Sequence, residues 1–179
     1  TNEKIEDLTF YNQEMEDYIS DYVSYVLEKV ASIKKDCPDA TVLIEQKVAA
    51  VRYDESLFGS TDVAIIADKV LTIIDLKYGR GVLVNAKENT QEMCYGLCAM
   101  ETFGNLYDIE DINLCIFQPR LSNVSEWSLT VKELYKWADE ILKPGIEKIR
   151  AGSEEFHPSR HCVFCKAKPL CKALRDQNL

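Results

Sequence analysis

No apolar run in this chain approaches the ~20 residues that a membrane-spanning helix needs. A secretory leader is also lacking, since Thr1 to Asp7 is polar and acidic. These absences set aside a membrane protein and a secreted one, and the chain reads as cytoplasmic. An initiator Met is missing as well, which suggests a fragment or a processed chain. Positive charge is scarce: 21 Lys and Arg stand against 30 Asp and Glu, for a net charge of −9. That balance argues against a general nucleic-acid binder. Internal repeats and low-complexity stretches are absent, which leaves an ordinary globular domain.

A length of 179 residues with 46% hydrophobic content suits one domain with a real core. From about Glu3 to Lys35 the spacing of Tyr18, Tyr22, Tyr25, Val26, Val30 and Ile33 predicts a helix, stopped at Cys37-Pro38-Asp39. Thr41 to Tyr53 is rich in β-branched residues and reads as a strand. Thr61–Ala67 and Val70–Leu76 read as a hairpin turning at Asp68-Lys69. Asn85 and Glu88 are spaced as a capping pair for a helix that runs to about Phe103 and ends at Gly104-Asn105. Ile112–Gln118 is a further strand, stopped by Pro119. Thr130 with Glu133 caps a last amphipathic helix to about Ile149, with a kink expected at Pro144-Gly145. The expected class is α/β: a central mixed sheet flanked by helices in the order αβββαβ, then a C-terminal helix and a cysteine tail. The boundary falls between 1–151 and 152–179.

The chemistry concentrates around the hairpin. Gly59-Ser60-Thr61-Asp62 precedes one strand and Asp75-Leu76-Lys77 ends the next. Paired strands bring Asp62 and Asp75 to one end of the sheet, where two carboxylates can hold Mg²⁺ or Mn²⁺, with the Leu76 carbonyl as a third oxygen. Residues two apart on a strand share a side, so Lys77 projects with Asp75 and can orient water or neutralise developing phosphate charge. Alone, an Asp-x-Lys at a strand end is an ordinary exposed polar pair; the Gly-x-x-Asp upstream strengthens it. Gln91 and Tyr95 share a helix face, either as a phosphate-handling pair or as a core aromatic with its neighbour. Glu45 interrupts the apolar strand Val42 to Val51 and lies either on a solvent face or at the site.

Seven cysteines divide into two groups. Cys37, Cys94, Cys98 and Cys115 are scattered and read as buried thiols. Cys162-x2-Cys165-x5-Cys171 is crowded in the manner of a Zn²⁺ or iron–sulfur site, which His157 or His161 could complete; the alternative is three unligated thiols. Between Arg160 and Arg175 the chain carries five basic residues, Arg160, Lys166, Lys168, Lys172 and Arg175, and no acidic one. Such a run is either a solvated surface or a phosphate-contacting patch.

Taken in order, Gly59-x-x-Asp62, Asp75-x-Lys77, Gln91-x-x-x-Tyr95 and Cys162-x-x-Cys165 with Cys171 resemble the RecB-like PD-(D/E)XK exonucleases. These include CRISPR-associated exonucleases and the AddB-type nuclease domains. Glu45 through Gly81 looks closest to a phage-associated branch, and the resemblance extends from about Val42 to Cys171. It implies a restriction-endonuclease-like core, Mg²⁺ or Mn²⁺ at Asp62 and Asp75, and Lys77 as catalytic lysine, with Gln91 and Tyr95 handling DNA. It implies a 4Fe–4S cluster held by Cys162, Cys165, Cys171 and one upstream cysteine, and a setting in phage or mobile-element recombination. A homo-oligomer and a recombination partner protein belong to the same implication.

Two features depart from the family pattern. Relatives carry a metal-site histidine in an N-terminal helix, whereas the first histidine here is His157. The upstream cluster cysteine has no match beyond Cys37, which sits in a helix stop. A missing N-terminal segment would account for both, so a weakened metal site and an incomplete cluster are expected in this chain. The competing readings are an inactive DNA-binding or assembly module on the same fold, and a zinc-stabilised interaction domain.

Overall fold

The computed structural model describes residues 11–177. They fall into two compact units, one up to Lys143 and one from Pro144 onward. The expected first helix extends outside the described residues at its start.

In the first unit, Asn12 caps helix α1 (Gln13–Asp36) by accepting from the Met15 amide at 2.8 Å. Strands β1 (Thr41–Ala49), β2 (Phe58–Ala67) and β3 (Val70–Leu76) follow, then helix α2 (Thr90–Phe103), β4 (Asp111–Gln118), β5 (Asn123–Thr130) and α3 (Val131–Trp137). The five strands form one sheet in the order β1-β2-β3-β4-β5, antiparallel except for the parallel β3–β4 pair. Helix α2 supplies the crossover that a parallel pair requires. The mixed α/β class expected from the sequence is the class observed.

The β2–β3 hairpin turns at Asp68 and Lys69, both at positive φ (43° and 67°), as a two-residue turn between right-twisting strands demands. Alternation along the strands divides the core. Val63, Ile65, Ile74 and Cys115 face α1, meeting Tyr22, Tyr25, Val26, Val30 and Ile33. Ile112 and Leu114 lie beside Gly96 of α2. Helix α2 is buried over most of its surface, Leu97, Cys98 and Ala99 completely or nearly so.

Three local expectations need correction. β1 ends at Ala49 rather than Tyr53, because Tyr53 N–H bonds the Ala50 carbonyl at 2.9 Å and turns the chain back toward β2. The cap of α2 is Asn89, whose side chain accepts from the amides of Gln91 and Glu92, and not the Asn85–Glu88 pair; Glu88 is left-handed (φ 53°) and outside the helix. β5 is an additional strand. Its pattern Asn-Val-Ser-Glu-Trp-Ser-Leu-Thr is half polar because one face of this edge strand is solvated.

Thr130 and Glu133 do form the capping box, with Glu133 N–H to Thr130 Oγ1 at 3.1 Å and Thr130 N–H to Glu133 Oε2 at 2.8 Å. The helix beyond widens into a π turn at Ala138–Leu142, where Lys143 N–H reaches Ala138 O, before α4 (Lys143–Arg150). The irregularity expected at Pro144 thus takes the form of a widened turn just before it. Proline has no N–H to offer Glu140, and its ring crowds that carbonyl.

In the second unit, two 3₁₀ turns (Arg160–Phe164 and Lys168–Leu170) lead to α5 (Lys172–Gln177). None of the described residues 144–177 is buried. Among the described residues no helix is long and apolar enough to cross a membrane.

Candidate active site

Register places the first two site residues side by side. The β2–β3 ladder runs to Val63 opposite Ile74, so Asp62 and Asp75 are the next pair along. There the strands part. The Leu76 amide is bound by the Asp62 carboxylate (Oδ2, 2.7 Å) in place of a carbonyl from β2. Asp75 is buried, at 7% exposure, and its Oδ2 lies 2.6 Å from Lys77 Nζ. Lys77 is anchored on its other side by its own amide, which donates to Phe117 O at 2.9 Å on β4. The end of β3 is thus held between two neighbours while presenting an acid and a base on one side.

Helix α2 brings a third carboxylate that the motifs do not include. Glu92 has 0% exposure, its Oε1 lies 3.7 Å from Lys77 Nζ, and neither of its oxygens has a hydrogen-bond partner. It occupies the third position of α2, where a Glu ordinarily reaches back to the cap amide. Here the Asn89 amide is already bound to Ala86 O (3.1 Å), and Glu92 turns into the site. Burial pushes its pKa up to about 7, Asp75 and Asp62 add to the rise, and Lys77 opposes it. Burial also raises the Asp75 pKa, against the pull of Lys77. For Lys77, burial alone would lower the pKa, but contact with Asp75 and the charge of Glu92 outweigh it. Lys77 is therefore an ammonium at neutral pH and acts as a fixed positive charge, not as a proton acceptor.

Gln91 and Tyr95 lie together as their spacing requires, Gln91 Nε2 donating to Tyr95 Oη at 3.3 Å. Tyr95 also explains Gly59. A Cβ on Gly59 would lie 2.8 Å from Tyr95 Cε1, so the ring packs where only glycine leaves room. The Gly-x-x-Asp and Gln-x-x-x-Tyr motifs are two halves of one contact. Glu45 is exposed and stands opposite Asp62, between the Ile44–Val63 and Gln46–Thr61 pairs; its φ of 50° takes it out of the ladder. From α1, Tyr22 turns a buried, unbonded hydroxyl toward the same end of the sheet. Burial raises its pKa, and the charges of Asp62, Asp75 and Glu45 add to the effect.

A buried amide fixes the loop leaving the site. Gln118 Oε1 accepts from Val84 N and Asn123 Nδ2 (both 2.8 Å), and its Nε2 donates to Val82 O at 3.0 Å. Glu92, Tyr22 and Gln118 were all missed by motif reasoning. The available signal was polarity in the wrong place: a Glu leading into the apolar run Met93–Met100 of α2 and a Gln ending an apolar strand.

The donor chemistry fits a hard divalent cation. Asp62, Asp75 and Glu92 against one ammonium leave two negative charges in excess when all are ionised, and the buried oxygens of Glu92 have no hydrogen-bond partner, with Lys77 shared between Glu92 and Asp75. The side chains are not drawn into one shell: Asp62 is engaged by Leu76 and Asp75 by Lys77. Among the described residues no three His, Cys, Asp or Glu side chains form a ready metal-binding group. This includes Cys162, Cys165 and Cys171, free thiols within the first 3₁₀ turn, just after it and just after the second, with Cys165 exposed. Ser159 N–H donates to Cys162 Sγ at 3.3 Å. Arg160, Lys166, Lys168 and Lys172 are all exposed. Of the four scattered thiols, Cys98 and Cys115 are buried as expected, whereas Cys37 and Cys94 are only half-buried.

These features define a mixed α/β protein with a buried carboxylate–lysine cluster at the splayed end of its sheet. The chain belongs to the DUF2800 family, a protein family of unknown function whose profile matches residues 1–179. Among solved structures it is similar to the crystal structure of SSO0001, at 15% identity and a TM-score of 0.37, over 87% of this chain and 71% of that one.

Proposed function

We propose that this protein is a metal-dependent DNA nuclease, an exonuclease that hydrolyses phosphodiester bonds. The observation that carries the reading is the convergence of Asp62, Asp75, Lys77 and Glu92 at one sheet end, with Tyr95 packed onto Gly59 beside them. Asp62 and Asp75, with the Leu76 carbonyl, would hold Mg²⁺ or Mn²⁺. When bound, the ion lowers the pKa of water and polarises the phosphodiester. Lys77, always charged, offsets the negative charge that grows on the phosphoryl oxygens. Gln91, exposed at the start of α2, and Tyr95 line the approach and position the strand. Arg160, Lys166, Lys168 and Lys172 supply further phosphate contacts.

The finer parts of the reading rest on the motif resemblance. They are a cytoplasmic enzyme of phage or mobile-element recombination, with a 4Fe–4S cluster or Zn²⁺ on Cys162, Cys165 and Cys171, acting as a homo-oligomer or with a recombination partner protein. The test is degradation of end-labelled linear DNA and closed circular DNA, with Mn²⁺ and with EDTA. Loss of linear DNA alone, abolished by EDTA, is expected. Inactivity on both substrates, with DNA binding retained, would favour a binding module on the same fold.

A further inference from the structure

Lys77 stands between two acids that are unequally served. Its ammonium lies 2.6 Å from Asp75 Oδ2 and 3.7 Å from Glu92 Oε1. Glu92 is fully enclosed, and no donor reaches either of its oxygens. A buried carboxylate in that condition is costly, and among the described residues Lys77 is the cation in ion-pair range of it. Lysine is a point charge on a flexible four-carbon stem, and an ammonium shift of roughly 1 Å would bring it to hydrogen-bonding distance of Glu92. A divalent ion on Asp75 would repel that ammonium directly. Glu92, in the first turn of α2 and aimed at Lys77, lies where the displaced charge would go.

We propose that Glu92 is the second seat of Lys77: the lysine rests on Asp75 without a divalent ion and moves onto Glu92 when one binds. Glu92 is then a positioning residue, not a metal ligand. It converts the loss of the Asp75–Lys77 pair into a new pair and keeps the ammonium in the site. The inference rests on the metal-dependent reading above and deepens it.

A double-mutant cycle on Mn²⁺ affinity, measured by calorimetry on the whole chain, tests it. Lys77→Met removes the ammonium that competes for Asp75, so Mn²⁺ binding tightens. Glu92→Gln, isosteric and checked for cooperative melting, weakens binding by roughly tenfold, the worth of one charge-assisted hydrogen bond. In the Lys77→Met background the same Glu92→Gln change has a markedly smaller effect, because there is no ammonium to seat. Glu92→Asp, which keeps the charge but shortens the reach, gives a second measure with the same dependence on Lys77. Equal weakening by Glu92→Gln in both backgrounds would show that Glu92 acts on the ion directly, as ligand or as charge, and overturn the proposal, as would no weakening in either. The metal-dependent reading survives both of those outcomes. Absence of Asp75-dependent Mn²⁺ binding in the unmodified chain would remove that reading and the proposal together.

Discussion

The sheet unit and the cysteine unit are held together by different physics. In the first, apolar side chains from five strands and two helices are sealed from water, and several polar groups admitted inside are engaged: Gln118 by three partners, Asp62 by a strand amide, Asp75 by its ion pair with Lys77. In the second, no described residue is buried, and tight backbone turns around Cys162, Cys165 and Cys171 carry the local structure. Burial specifies the first without help. If the thiolates of the second bind a metal or cluster as proposed, ligation would add to its order, since ligation free energy is folding free energy where a core is lacking. The contrast also isolates Glu92. It is the acid of the buried site with no hydrogen-bond partner on either oxygen.

Breaking the core shows the contrast most strongly. Leu114→Ala in β4 removes a fully buried side chain and is expected to cost about 2–5 kcal/mol, read as a lower urea midpoint. A loss below ~1 kcal/mol would mean that the sheet is not the stability core.

Glu92 gives the next effect, through pH. Its carboxyl ionises near its ordinary 4.5 when unfolded and near 7 when folded. The folded state therefore binds the extra proton between those values, and unmodified protein loses stability relative to Glu92→Gln as pH rises through that window. The difference is largest above about 7, at no more than roughly 3 kcal/mol. A pH-independent difference would show that Glu92 is ionised, and served, in the folded protein.

Gly59→Ala sharpens the comparison within the site. The methyl would push against Tyr95, an overpacking expected to cost about 1–3 kcal/mol and to lower turnover by moving Tyr95. Unchanged melting and unchanged activity would refute the Gly59–Tyr95 coupling. Smallest of all in global stability is Cys162→Ser. It should leave the urea midpoint of the sheet unit within about 0.5 kcal/mol, while limited proteolysis accelerates within the cysteine unit of protein carrying its metal or cluster. Equal protection of both proteins would mean that the thiols bind nothing.

Much of this was legible beforehand, and the pattern of misses is physical. The hairpin was readable because Asp68-Lys69 lies between two β-branched runs of matching length, and its register then paired Asp62 with Asp75. The capping box at Thr130 and the disturbance near Pro144 are local chemistry, which sequence carries directly. β5 escaped because an edge strand with one wet face has the composition of a loop. The α2 cap was misplaced because Asn85 and Asn89 both suit the role, and only the loop clamped by Gln118 decides between them. Glu92 escaped because a glutamate early in a helix ordinarily signals a cap. Its burial comes from how α2 sits on the sheet, which no spacing within α2 reveals.

The most direct measurement of the central claim is Mn²⁺-dependent cleavage of linear DNA by the unmodified chain and by Asp75→Ala, purified identically and matched for secondary structure. If Asp75 is a metal ligand, its loss should reduce the rate by at least about a hundredfold, to the level seen with EDTA, while leaving the fold intact. Cleavage by Asp75→Ala at the unmodified rate would contradict the assignment of this sheet end as the catalytic centre.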